Sequence, residues 1–315
     1  MSEKMSVWTK TPFVILFAFI CCFLWGSAFP SIKSGYALFN VAGDDTASQI
    51  LFAGIRFFFA GVMVIIAGSL IQKRFLTISV KGIPKVLALS MFQTFGQYFF
   101  FYIGLAHASG VSSSVIEASN TFFAILIAAL IFRTENLTIR KILGCILGFA
   151  GVILIQLNGA TLSFHFTLLG EGFVLISALL GALSSSFIKM WSASEDTVAL
   201  SGYQFMVGGL ILAIGGAAAG GHLDTQAAGI AGIALLIYMA FISACAYTLW
   251  GLLLKYNPVS KITVYGFMNP VIGVLLSAII LGEYSQAFRL ASLFSLILVS
   301  LGIIVVNRQG DGSPA

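Results

Sequence analysis

The sequence predicts an all-α polytopic membrane protein with ten transmembrane helices arranged as two inverted five-helix repeats. Three observations carry that reading. The 315 residues are 59% hydrophobic and only 9% charged, where a soluble domain carries about 25% charged residues. Mean hydropathy is +1.04, and apolar runs long enough to span a bilayer recur from end to end. Sliding the chain by 148 residues superposes its halves, laying Gly54 on Gly202, Leu105 on Leu253, Val111 on Val259, Ser112 on Ser260 and Glu135 on Glu283.

The spans are expected at 13–35, 48–70, 84–107, 111–132, 140–157, 168–189, 197–219, 229–253, 260–281 and 287–306. They divide into a first repeat over 13–157 and a second over 168–306. The connections are short, which leaves no room for a separate soluble domain. The first run follows Lys4 and Lys10 as a signal peptide would, but it is too long and lacks a small-residue cleavage site, so it reads as a retained span. Five spans per half is an odd number, so the second half must enter the membrane upside down. Inverted repeats of this kind belong to secondary transporters, with the substrate site near mid-membrane where the halves meet.

Charge sets the orientation. The net charge of +5 is a topology signal here and not a nucleic-acid footprint. With the N-terminus inside, the inner segments hold Lys4, Lys10, Lys73, Arg74, Lys81, Lys85, Arg133, Arg140, Lys141, Lys189, Lys255, Lys261 and Arg308, 13 of the 16 basic residues. Lys33 and Arg289 fall outside, and Arg56 lies within the membrane. Both termini are therefore expected in the cytoplasm of a cell whose plasma membrane holds the chain.

Polar residues inside the spans are the candidate site. The fourth span, VSSSVIEASNTFFAILIAALIF, carries Glu117 and Asn120 one turn apart. Hydrocarbon would penalise both unless they face protein or a water-filled cavity. The third span offers Gln93 and Gln97, the first Trp25 and Ser27, the eighth Tyr247 and the ninth Tyr265 and Asn269, with Pro270 freeing a backbone carbonyl in that helix. Together they would line a cavity for an amphipathic organic molecule. The plainer alternative is that such amides and hydroxyls only join helices. Arg56 and Glu117 lie six to eight residues past the starts of spans running in the same direction, roughly 9–12 Å deep at ~1.5 Å per residue. They are expected to meet directly or through the substrate, with Glu117 as the group whose charge changes during transport. A permanent structural pair is the competing reading.

Other chemistries find no support. The three histidines, His107, His165 and His222, do not cluster with cysteines or carboxylates as metal ligands would. Cys21, Cys22, Cys145 and Cys245 all fall in spans and read as packing. No phosphate loop or nucleotide-binding module is present. The chain is expected to need no cofactor or metal, to catalyse no reaction and to bind no nucleic acid. Its expected partners are a small-molecule substrate and membrane lipid, as a monomer or homodimer. Gly144, Gly148 and Gly151 in the fifth span, with Gly208-Gly209 and Gly215-Gly216 in the seventh, mark close helix approaches.

Trp25-Gly26, Arg56, the run from Glu135 through Gly144 to Gly151, and Pro270 followed by Gly282-Glu283 together resemble the EamA-type members of the drug/metabolite transporter superfamily. The resemblance spans Phe13 to Asn307. It implies ten helices in two inverted repeats around a central cavity, and export of amino acids, other metabolites or drugs. Phe122 stands where the second half has Pro270, and Ser292 and Val299 stand opposite Gly144 and Gly151. Glu117 matches no general motif of the family. The function expected is therefore export of a small polar or amphipathic, amino-acid-like metabolite by alternating access. Broad-specificity efflux of toxic compounds is the alternative, and a non-transporting membrane scaffold a third.

The charge asymmetry makes a first prediction. Single cysteines placed beside Lys73–Lys81 or Arg140–Lys141 in a cysteine-free background should resist an impermeant thiol reagent in intact cells. Ready labelling there reverses the orientation.

Overall fold

The computed structural model describes residues 7–108, 110–156, 167–281 and 290–308. His165, Gly282, Glu283 and Arg289 lie outside them. Among the described residues the chain is helical throughout its regular structure, in the following segments. α1 is Thr11–Leu38 and α2 is Thr46–Gln72. α3 comprises Ile83–Leu89, a π-helical turn at Ser90–Gly96, and Gln97–His107. α4 is Gly110–Leu126, ending in a π-turn at Ile127–Ile131. α5 is Ile139–Gln156. α6 opens with a π-turn at Leu168–Gly172 and continues as Phe173–Trp191. α7 is Thr197–Ala218 and α8 is Thr225–Tyr256. α9 is broken into Val259–Thr263, a 3-10 stretch Val264–Phe267, and Met268–Leu281. α10 is Leu290–Asn307.

Six of these segments are long and apolar enough to cross a membrane: Thr11–Leu38, Thr46–Gln72, Val80–Leu105, Leu168–Trp191, Thr197–Ala218 and Thr225–Tyr256. Ile116–Ile131 and Leu293–Asn307 are shorter apolar helices. Large apolar side chains face outward along them, among them Ile66, Leu70, Ile71, Ile214, Ile230 and Ile304, as lipid contact requires. In α9 the break precedes Pro270, so the proline falls in the first turn of Met268–Leu281, where its missing N–H costs nothing. α8 kinks at Gly229, whose φ of 53° and ψ of −154° suit glycine. That is also where the apolar pattern of the eighth span begins.

Helix pairing follows one rule in both halves. α2 packs along α7, and α5 along α10. Every other major pair has a mate in the opposite half: α1 on α8 with α6 on α3, α1 on α9 with α6 on α4, and α2 on α8 with α7 on α3. Small residues make the two self-paired seams. A Cβ at Gly54 would lie 2.2 Å from the backbone nitrogen of Ala213, and one at Gly209 would lie 2.4 Å from that of Phe58. A Cβ at Gly61 would lie 2.5 Å from the Gly202 carbonyl oxygen. Gly54 and Gly61 precede Gly202 and Gly209 by the 148-residue offset, so these contacts are mates of each other.

The glycines expected to touch backbone do not all do so. Gly144 and Gly151 abut α10, where Ser295 Oγ donates to the Gly151 carbonyl at 2.7 Å. Gly148 meets the Phe267 ring and also the backbone at Gly302, Gly208 meets Thr94 and the Ser90 carbonyl, and Gly215 faces open space. The second half has Ser292 and Val299 where the first has glycine, and its close contact to α5 comes from Gly302, 2.6 Å from the Gly144 carbonyl. The cysteines pack: Cys21 Sγ donates to the Ala246 carbonyl and Cys22 Sγ to that of Tyr265, both at 3.3 Å.

Polar contacts tie the loops at the basic end across the two halves. Arg74 pairs with Asp196 at 2.8 Å, and Lys85 with Glu195 at 3.5 Å. Ser79 Oγ donates to Glu195 Oε1 at 2.6 Å, and this bond, with Lys85 nearby, holds the Glu195 carboxyl below the usual range. Glu135 takes Lys141 at 2.6 Å and accepts from the backbone N–H of Ser260 at 3.1 Å and from the Ser260 hydroxyl. A carboxylate from the α4–α5 loop thus caps the first turn of α9.

The α2–α7 seam is testable. Gly209→Ala should destabilise the purified protein by about 1–3 kcal/mol, the usual cost of overpacking, whereas Gly215→Ala should leave thermal stability unchanged. Equal melting temperatures for both would mean the backbones do not touch at Gly209.

Candidate functional site

Arg56 emerges from the middle of α2 and is 4% exposed. Its guanidinium lies over the Phe57 ring at 4.4 Å and 6.0 Å from the Tyr98 ring centroid. Stacking on ring faces satisfies a cation in part without a counter-ion. Its Nε is enclosed without a hydrogen-bond partner, and among the described residues Arg56 forms no ion pair.

Tyr98 is the hub. Its hydroxyl meets that of Tyr247 at 2.5 Å, joining α3 to α8. The two tyrosines are 149 residues apart, within one residue of the repeat offset. Each lies within electrostatic reach of both Arg56 and Glu117. Phe57 packs on Tyr98 at 4.4 Å, and Phe205 meets Phe57 and Tyr247 at 5.4 and 5.1 Å. Trp25 of α1 stands edge-on to Tyr247 and to Trp250, each at 5.0 Å. The Trp25 Nε1 is enclosed with no partner.

Glu117 of α4 lies within electrostatic reach of the same tyrosine pair. It is half-buried, and its Oε2 is enclosed without a hydrogen-bond partner. The Ser177 hydroxyl of α6 and the Gln97 amide of α3 lie beside it. One turn on, Asn120 Nδ2 donates to the Ala178 carbonyl of α6 at 3.0 Å. Gly181 makes this convergence possible. A Cβ there would sit 2.4 Å from Asn120 Nδ2 and 2.9 Å from Gln97 Nε2. A side chain at Gly181 would push both amides apart.

The structure therefore brings Arg56, Gln97, Glu117, Asn120, Tyr247 and Trp25 around Tyr98. The direct Arg56–Glu117 contact is not formed; aromatic rings take the guanidinium instead. The remaining candidates stand elsewhere. Ser27 Oγ donates to the Leu24 carbonyl at 2.7 Å and shares a 3.0 Å hydrogen bond with the Tyr238 hydroxyl. Tyr265 belongs to the main apolar core. Gln93 is buried in the π-turn of α3. Asn269 keeps an enclosed Oδ1 without a partner. Three contributors escape a reading of the sequence: Tyr98, Ser177 and Gly181. Tyr98 hides in the aromatic run QYFFFY, and the other two in the small-residue run SALLGALSSS.

Among the described residues, no group of three or more His, Cys, Asp or Glu side chains is placed to hold a metal ion. The chemistry on offer is recognition: one cation, one anion, two amides and an aromatic wall.

Comparison with known proteins agrees with this architecture. The chain is 26% identical over 319 residues to the uncharacterized transporter YvbV of Bacillus subtilis, covering 97% of this chain and 95% of that one. It is 26% identical over 294 residues to an uncharacterized transporter of Archaeoglobus fulgidus, covering 90% and 95%. It is 23% identical over 312 residues to a probable amino-acid metabolite efflux pump of Salmonella typhimurium, covering 91% and 92%. A solved crystal structure at 16% identity shares the fold with a TM-score of 0.75, covering 95% of this chain and 97% of that one. The profile of the EamA-like transporter family matches twice, over residues 12–157 and 168–308, and the chain belongs to that family.

Proposed function

We propose that the chain is a secondary transporter that exports a small polar or amphipathic, amino-acid-like metabolite by alternating access. In this reading ten transmembrane helices form two inverted five-helix repeats in the cytoplasmic membrane, with both termini inside. The mated helix pairs, with an embedded cation and anion among them, are the observation that carries it. Inverted halves of one design can exchange their packing and so expose one central site to either face. The double family match and the efflux pump among the relatives support the same reading.

Arg56, Gln97, Glu117, Asn120, Tyr247 and Trp25 form the binding site, with Gln93, Ser27, Tyr265 and Asn269 lining its approaches. Glu117 couples transport to protons. It takes a proton when the site opens outward and releases it when the site opens inward, restoring a charge that holds an amino group. The groups facing Glu117 are Ser177 of α6 and Gln97 of α3, with Tyr98, Tyr247 and Arg56 within electrostatic reach of one another. The contacts at the basic end, Glu135 to Ser260 above all, hold that end closed and must break for inward opening.

Broad-specificity efflux is the second reading. It is favoured by the aromatic cluster of Phe57, Phe95, Phe99, Tyr102 and Phe205, which can bind apolar bodies without directional bonds.

In proteoliposomes, Glu117→Gln should retain exchange at saturating substrate and lose accumulation driven by a pH gradient. Wild-type pH-driven accumulation by E117Q would remove Glu117 from coupling. Exchange of lipophilic cations as fast as that of amino-acid-like solutes would favour broad efflux.

A further inference from the structure

We infer that the α2–α3 connection is a docking surface for anionic phospholipid: Lys73 and Lys81 take the headgroups, while Phe75 and Val80 enter the interface beside them. The surface lies outside the intramembrane polar site, and it stands whether or not the chain carries a solute.

The connection is a pinned loop. Lys73 closes α2 with a left-handed turn at φ 52°. Beyond it Leu76 is wholly buried and Ile78 packs on the core, while Phe75 and Thr77 face out. The Leu76 N–H donates to Ser69 Oγ at 3.0 Å, and the Tyr203 hydroxyl donates to the Leu76 carbonyl at 2.9 Å. With Leu76 fixed inward on both counts, its neighbour Phe75 is held outward. Phe75 is 70% exposed and Val80 83%.

Charge completes the surface. Arg74 bonds Asp196 and Ser79 bonds Glu195, so both ends of the loop close on two consecutive residues. Lys73 and Lys81, one and two residues beyond those contacts, therefore flank one patch. The acids there are already engaged: Asp196 by Arg74 and the first turn of α7, Glu195 by Lys85 and Ser79. Both lysines are exposed, and among the described residues neither is ion-paired. Two uncompensated cations thus stand beside an exposed phenylalanine and valine.

That combination selects the occupant. Leu70 and Ile71 of α2, and Ile83 and Leu87 of α3, turn outward on either side of the loop, which places it at the rim of the apolar belt. An anionic headgroup layer supplies phosphate to the lysines and hydrocarbon to Phe75 and Val80. A free phosphate would match the charge and leave the apolar side chains uncovered. The α7–α8 connection follows the mate of α2 at the opposite end of the seam. It reads AGGHLD, with no lysine, arginine or phenylalanine.

The test is thermal stabilisation of the purified full-length protein in detergent, titrated with phosphatidylglycerol or phosphatidylcholine of the same acyl chains. Wild type should prefer phosphatidylglycerol, and raising the salt should erase that preference. K73N/K81Q should lose affinity for phosphatidylglycerol on the order of 30-fold, as expected for two lysines near an anionic surface. Asparagine tolerates the left-handed backbone at position 73, so the turn survives the change. K73R/K81R, which keeps both charges, should retain the preference. F75S should weaken both lipids alike and leave their ratio unchanged. R140Q/R308Q removes the same charge elsewhere at the basic end and should behave as wild type. Equal binding of the two lipids by wild type would overturn the inference, as would a preference that persists at high salt. An R140Q/R308Q loss as large as that of K73N/K81Q would reduce the effect to net charge and overturn it too. Glycerol 1-phosphate displacing the lipid at equal concentration would make this a soluble-phosphate site and exclude the membrane reading.

Discussion

Two opposite charges share the interior of this protein without touching, and much of its architecture accommodates that fact. Each would be costly in hydrocarbon. Arg56 is made tolerable by the faces of Phe57 and Tyr98, and Glu117 by the hydroxyl and amide of α6 and α3. If they paired directly, the site would be neutral and closed to a ligand. The Tyr98–Tyr247 contact, near both charges, joins the halves, since one tyrosine comes from α3 and the other from α8. Unpaired buried charges of this kind contribute little to stability.

Holding such a site requires a frame that does not depend on it. Glycine seams supply that frame. The α2–α7 contact places backbone against backbone, and α5–α10 repeats the device at the periphery. Without a hydrophobic drive between helices in lipid, close van der Waals contact is what remains. The seams also fix where Arg56 sits, because it lies between Gly54 and Gly61 on the helix that touches α7. At the basic end the loops are joined by charged contacts instead, and such contacts exchange readily for water.

Much of this was legible in the residues. Hydropathy located the helices to within a few positions, and Arg56, Glu117 and Asn120 stood out because charges and amides are rare in apolar runs. Depth along the helix suggested that Arg56 and Glu117 would meet, but depth says nothing of rotation or of competing ring faces. Ser177 and Gly181 were invisible because α6 is a run of small residues, any of which could line a seam. Their role depends on which turn of α6 faces Asn120, and tertiary packing decides that. Gly215 and Gly216 show the same limit: neighbours in sequence, one faces open space and the other presses on Leu51. The π-turns of α3, α4 and α6 left no mark in composition, yet they shift the face that each helix presents.

The central claim is that this chain carries a solute across a bilayer through its intramembrane polar site. Counterflow tests it most directly. Vesicles containing the purified protein and loaded with an unlabelled amino-acid mixture should take up labelled solute transiently above equilibrium, well beyond empty vesicles. Superimposable uptake curves for protein-containing and empty vesicles, across a broad metabolite panel, would contradict the account.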